Sequence, residues 1–143
     1  MKITEVENFH AVDVNVFRGA LPSAQGMQQL CDFGIRTIIN LCSSGPSVKY
    51  VEIPGIRYEY IPMGAKSPTR MWVDRLLEIL RRIECYPVFF HCYLGVDRSG
   101  FVTALYRVVF QGWSKPDALY EMLRGPNRSN LFSMAFAEMD FGE

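Results

Sequence analysis

In the run His91-Cys92-Tyr93-Leu94-Gly95-Val96-Asp97-Arg98-Ser99-Gly100 a thiol, a guanidinium and a hydroxyl stand at 92, 98 and 99. If this run is a loop entering a helix N-terminus, the backbone N–H groups of Tyr93, Leu94, Gly95, Val96, Asp97 and Arg98 converge. The positive end of the helix dipole adds to them, so an anion of phosphate size is favoured there. A free thiol titrates near ~8.5, but thiols at helix N-termini beside cations fall to roughly 3.5–7.5, so Cys92 is expected to be an ionised nucleophile. Arg98 offers a planar, two-pronged donor for two phosphate oxygens and for the equatorial oxygens of a transition state. Ser99 can donate to the sulfur and steady it as the leaving group of a second step. His91 can hydrogen-bond the loop backbone and orient it. Gly95 allows the tight backbone path, and Gly100 is read as allowing close approach at the helix start.

Those residues need a strand before them and a helix after them. Pro87-Val88-Phe89-Phe90 is a short apolar strand, and Phe101 to Gln111 reads as a buried helix that begins near Ser99. Upstream, the alternation of Val12, Val14 and Val16 predicts one strand ending near Phe17-Arg18. Ser23 is placed to cap a helix carrying Met27, Leu30 and Phe33, and Gly34 to stop it. Thr37 to Leu41 and Ile56 to Ile61 are β-rich runs. A helix with Ser67 as cap and Pro68 in its first turn carries an apolar stripe of Leu76, Leu77, Leu80 and Ile83. Ser114 caps a further helix through Leu123, and a last helix is expected from about Ser129 to Met139. Trp113, Met122, Met134, Phe136 and Met139 read as core. The alternation of strands and helices predicts an α/β fold: a central, largely parallel sheet of four to five strands flanked by helices on both faces. A ligand would then sit beyond the carboxyl ends of the strands, where Cys92 to Arg98 lies.

The 143 residues are 49% hydrophobic and are read as a single domain over 1–143. Fifteen basic residues balance fifteen acidic ones, so net charge does not argue for nucleic acid or an anionic membrane as partner. No signal-peptide pattern and no membrane span is visible, and the chain is expected to be cytoplasmic. Oligomeric state is not legible. Cysteines at 31, 42, 85 and 92 form no Cys-x-x-Cys pair, so a metal site is not expected. Cys31, Cys42 and Cys85 read as inert thiols among apolar neighbours.

The run from His91 to Gly100 resembles the signature His-Cys-x5-Arg-(Ser/Thr)-Gly of the protein tyrosine phosphatase superfamily, especially its small dual-specificity branch. Asn8-Phe9, Phe17 to Ser23, Gly34 to Leu41 and Gly112-Trp113-Ser114 with Ala118 and Glu121-Met122 are similar to its small microbial members. The likeness implies a phosphotyrosine-phosphatase-like fold and a two-step reaction through a phosphocysteine on Cys92, with no metal ion or other cofactor. It implies a phosphorylated protein or an inositol phosphate as substrate.

One part of the family pattern is missing. Members carry a general-acid aspartate on the loop before the helix that precedes the active-site strand, but Pro62 to Arg70 holds no carboxylate. Asp97 is the leading candidate, similar to the aspartate at that place in myotubularin-type lipid phosphatases; a solvated or loop-bracing aspartate is the alternative, and Asp74 the runner-up. Lys66, Arg70, Arg124 and Arg128 are either a basic ring favouring a polyanion or ordinary solvated charges. Tyr93, at a position often basic or small in the family, is placed to shape the pocket mouth. Asn127 or Asn130 is a candidate loop brace. Two other functions stay open: a pseudophosphatase that holds phosphorylated partners, and a thiol enzyme such as an arsenate reductase or sulfurtransferase. The latter would want partner cysteines, which nothing in the spacing positions.

Overall fold

Three strands run parallel at the centre, where apolar residues on alternate sides let helices cover both faces. The computed structural model describes residues 2–43, 52–64 and 68–140. Its elements are β1 (His10–Asp13), β2 (Val16–Gly19), α1 (Ala24–Phe33), β3 (Thr37–Asn40), β4 (Arg57–Tyr60), α2 (Arg70–Leu80), β5 (Val88–His91), α3 (Asp97–Gln111), α4 (Lys115–Arg124) and α5 (Ser133–Glu138). The five strands lie in the order β1-β2-β5-β3-β4. All pairs are parallel except β1 with β2, so the sheet is mixed, as a largely parallel expectation allows.

Strand parity divides the core in two. Phe17, Ile38 and Phe89 face α1, which contributes Met27 and Leu30. Val16, Ile39, Val88 and Phe90 face the other way, onto α2 and α3 through Val73, Leu76, Leu77, Phe101 and Leu105. Ala118 and Met122 of α4 and Phe136 of α5 extend this larger cluster. Local caps explain the helix ends that were legible: Ser23 Oγ accepts from Gly26 N–H, Gly34 closes α1 in the left-handed conformation, and Ser114 Oγ accepts from Asp117 N–H.

Four expectations are corrected. The single strand from Val12 to Arg18 is a hairpin, because Asp13 Oδ1 accepts from Val14 N–H at 2.7 Å and turns the chain at Val14-Asn15. Helix α2 begins at Arg70 after Thr69 rather than after Ser67, which lies outside the described residues. Ile83 leaves the apolar stripe for a 3-10 turn (Ile83–Cys85), where it is exposed. The last helix is shorter than 129–139, running Ser133–Glu138, and its Met134 is 73% exposed while Phe136 faces inward. No helix among the described residues is long and apolar enough to cross a membrane.

Phe101 ties the segment after α4 to the sheet: it is fully buried, and its ring meets Phe132 and Phe136 edge-on at 6.0 and 6.3 Å. Phe101→Ala is expected to cost about 3–5 kcal/mol in urea unfolding. A loss under about 1 kcal/mol would mean that this junction is not part of the cooperative core.

Candidate active site

The loop leaves β5 at its C-terminal end, where Gly19 of β2 and Asn40 of β3 both stand in register with His91. Every carbonyl of residues 92–96 is taken from outside the loop or by the helix it starts. His91 Nδ1 lies 3.3 Å from the Cys92 oxygen, which can only accept, so the ring carries its proton on Nδ1. Leu21 N–H donates to Tyr93 O at 3.2 Å, and Asn8 Nδ2 to Leu94 O at 2.7 Å. Asn127 Nδ2 and Arg18 Nη2 donate to Gly95 O at 3.1 and 3.2 Å. Arg18 Nη2 and Gly100 N–H donate to Val96 O at 3.3 and 2.9 Å. In a trans peptide the C=O of one residue and the N–H of the next point opposite ways. Fixing these oxygens outward therefore turns the N–H groups of 93–97 inward, and no described residue accepts from them or from the N–H of Arg98.

Gly95 makes the path possible. Its φ is +75°, and a Cβ there would stand 2.5 Å from the Gly19 carbonyl carbon and 2.6 Å from Ala20 N. The close approach expected at Gly100 is not found: an added Cβ would meet nothing nearer than Arg18 Nη2 at 3.7 Å, an ordinary contact.

At the base of the loop Cys92 is 1% exposed, and its Sγ lies 3.3 Å from Ser99 Oγ, within reach of a hydroxyl-to-sulfur hydrogen bond. Arg98 Nε donates to the Met63 carbonyl at 2.7 Å, which aims the guanidinium and leaves its two terminal nitrogens without a partner among the described residues. His91 is fully buried, and burial holds it down to about 4 against the pull of the Cys92 carbonyl, so it is neutral at pH 7. Cys42 lies 4.0 Å from His91 Nδ1, a neighbourhood the cysteine spacing did not reveal. Burial first, and Cys92 second, push its thiol up to about 12, so Cys42 stays protonated near Cys92.

Asp97 opens α3, half-buried, with Oδ1 accepting from Ser129 Oγ and Oδ2 without a described partner. Asp74 is held on the surface of α2 by Arg70 Nε at 3.0 Å, and Arg70 also donates to the Asp140 carbonyl. Among the described residues Asp74 and Arg70 make no hydrogen bond to the loop. Lys66 lies outside the described residues. Tyr93 and Leu94 are exposed at the mouth, Leu94 at 65%. Of the two candidate braces the structure uses Asn127, in the left-handed conformation with φ 55°, rather than Asn130. Asn127 also donates to Asn8 O at 2.9 Å and meets His10 Nε2 at 3.1 Å. The residues that sequence reasoning missed are Asn8, Arg18, Ser129 and the Met63 carbonyl. Only Arg18 carried a signal, a lone charge inside the apolar run Val16-Phe17-Arg18.

A family model described as the tyrosine phosphatase family matches residues 3–139. Over 122 residues the chain is 31% identical to the dual specificity protein phosphatase TpbA of Pseudomonas aeruginosa, covering 82% of this chain and 54% of that protein. It is 27% identical to the inositol diphosphatase DSP3 of Arabidopsis thaliana, covering 80% and 60%. The chain thus spans little more than half the length of these curated relatives. The crystal structure of P. aeruginosa TpbA superposes with a TM-score of 0.74 at 26% identity, covering 94% of this chain and 86% of that one. The core catalytic domain of the PP-IP phosphatase SIW14 from S. cerevisiae, in complex with citrate, gives 0.82 at 21% identity over 99% and 91%, a likeness of fold.

The depressed His91 fixes a pH dependence. Its folded form binds protons less readily than the unfolded chain, so its contribution is complete above about 6.5 and is lost as pH falls towards about 4. Denaturant unfolding is expected to weaken across that window by up to ~1.4 kcal/mol per pH unit from this residue. The His91→Asn protein should show a shallower slope there; an identical slope would contradict a buried neutral imidazole.

Proposed function

The chain belongs to the tyrosine phosphatase family, and from that premise we propose that it is a cysteine-dependent phosphatase hydrolysing phosphate monoesters through a phosphocysteine on Cys92. One observation carries the reading: inward amides of 93–97 and the unpartnered fork of Arg98 belong to the loop that holds a buried sulfur within reach of Ser99.

In the first step the Cys92 thiolate attacks phosphorus and the ester P–O bond breaks, while the loop amides and Arg98 hold the equatorial oxygens. The leaving oxygen takes its proton from Asp97 Oδ2, Oδ1 being held by Ser129. In the second step water attacks the phosphocysteine, Asp97 takes up its proton, and the S–P bond breaks to return the thiolate, to which Ser99 donates. His91 serves as a neutral donor to the backbone and exchanges no proton.

A phosphotyrosine-type substrate suits the exposed Tyr93 and Leu94 at the mouth, which offer apolar contact to an aryl ester. The similarity to the dual specificity phosphatase TpbA supports it. An inositol polyphosphate is the second reading, favoured by a cavity of about 430 Å³ lined by Leu123, Arg124, Arg128, Ser129 and Asn130. Ser129 joins that cavity to Asp97, and the similarity to the inositol diphosphatase DSP3 points the same way. Three further unpaired thiols, Cys31, Cys42 and Cys85, suit a reducing compartment, and the proposal places the enzyme in the cytoplasm.

Two measurements test this. Wild-type protein assayed on an aryl phosphate, a phosphotyrosine peptide and inositol hexakisphosphate should turn over at least one, and Cys92→Ser none. Rapid quenching with the aryl ester should trap phosphate on Cys92. Binding without turnover or trapped phosphate would instead describe a pseudophosphatase. Asp97→Asn is expected to lose about 10²- to 10⁴-fold on alkyl phosphates and much less on phenolic esters, with the acid-dependent limb of the rate profile removed. An unchanged rate on alkyl phosphates would leave Asp97 as a brace for Ser129 alone.

A further inference from the structure

Among the described residues no other lysine, arginine, aspartate or glutamate is buried as deeply as Arg18, at 6% exposed. It stands on β2 in register with Phe90 of β5, two residues before Cys92. Strand parity sends its side chain to the face that Val16 shares with Phe90 and Cys92. The guanidinium passes beneath the loop, where Nη2 donates to both Gly95 O and Val96 O. Its Nε is buried without a partner among the described residues. Arg18 also lines a cavity of about 30 Å³ with His10, Thr103, Arg107 and Glu121, enough for one or two waters.

Burying a guanidinium is costly, and an apolar side chain would fill a strand position in this core without that cost. Burial pulls Arg18 down to about 10, so it stays charged at neutral pH; the strongest opposing influence is Cys92, ahead of Glu121. The guanidinium therefore places a charge beneath the loop that carries Cys92. Arg98 reaches the site differently, anchored by its Nε to Met63 with its fork free for a ligand.

We propose that Arg18 is a positioning residue for the nucleophile: from beneath the loop it holds the Gly95 and Val96 carbonyls outward, and its charge stabilises the Cys92 thiolate without touching substrate. The proposal rests on the phosphatase reading for its purpose. Its two parts separate chemically. Lysine keeps the charge but loses the planar fork; glutamine keeps one donor and loses the charge.

The test compares Arg18→Lys and Arg18→Gln with wild type, each shown folded by circular dichroism and thermal melting. Iodoacetamide alkylation of Cys92, followed by mass spectrometry from pH 5 to 9, reads the thiolate without requiring turnover. At pH 6, Arg18→Gln should alkylate about tenfold more slowly, its profile moved upward by about one pH unit. Arg18→Lys should alkylate within about threefold of wild type. On an aryl phosphate both should lose kcat with KM less affected, glutamine by at least about tenfold more than lysine. Should Arg18→Gln not fold, Arg18→Lys is set beside wild type alone: a retained profile with lowered kcat supports the proposal, and a profile displaced as far as a unit overturns it. Equal alkylation of Lys and Gln variants across the pH range also overturns it. A wild-type protein with no turnover would refute the phosphatase reading, while the alkylation profiles would still decide the role of Arg18.

Discussion

The site depends on the orientation of five peptide planes. An amide can present its N–H to a central anion only if its carbonyl finds a partner on the far side, since a buried oxygen left without one costs about as much as a lost hydrogen bond. Here the partners of the loop carbonyls come from residues 8, 18, 21, 91 and 127 and from the first turn of α3. A loop of converging N–H dipoles opposes itself until a negative charge lies among them, so the same bonds that order the loop favour an anion at its centre. Structure and chemistry share one set of hydrogen bonds.

That concentration of positive character is kept in arginines and amides. His91, directly before Cys92, would be a natural cation by residue type, but burial holds it neutral and makes it a donor to the Cys92 carbonyl. Cys42 would be a competing sulfur, but the same dry surroundings keep its proton on. The apolar floor beneath the site thus keeps His91 and Cys42 neutral, while the Arg18 guanidinium remains charged there.

The carboxylates near the loop are placed differently. No carboxylate enters from the described part of the segment before α2, and Asp74 is occupied by Arg70. Asp97 instead stands on the loop itself, oriented by Ser129 from the segment after α4. Cys92, the loop amides and Asp97 are therefore consecutive in the chain, and the segment that carries Ser129 also lines the arginine-bearing cavity. One serine thus joins the Asp97 carboxylate to that cavity.

What the amino-acid sequence determined alone is what neighbouring residues can settle among themselves. The loop from Cys92 into α3 was legible because thiol, amides and guanidinium belong to one turn of chain, and α1 and α4 because Ser23, Gly34 and Ser114 act within a few residues. Local pattern misled where an apolar residue serves a turn or surface: Val14 continued an alternation through a hairpin turn, and Ile83 and Met134 continued helical stripes into solvent. Tertiary structure alone decided what braces the loop, because Arg18, Asn8 and Asn127 meet it across 77, 86 and 32 residues of chain, and the pairing of β2 and β3 with β5 brings Arg18 and Cys42 to it. A hydrogen bond needs two groups within about 3 Å, and a list of residues carries no distance between segments until the sheet has closed.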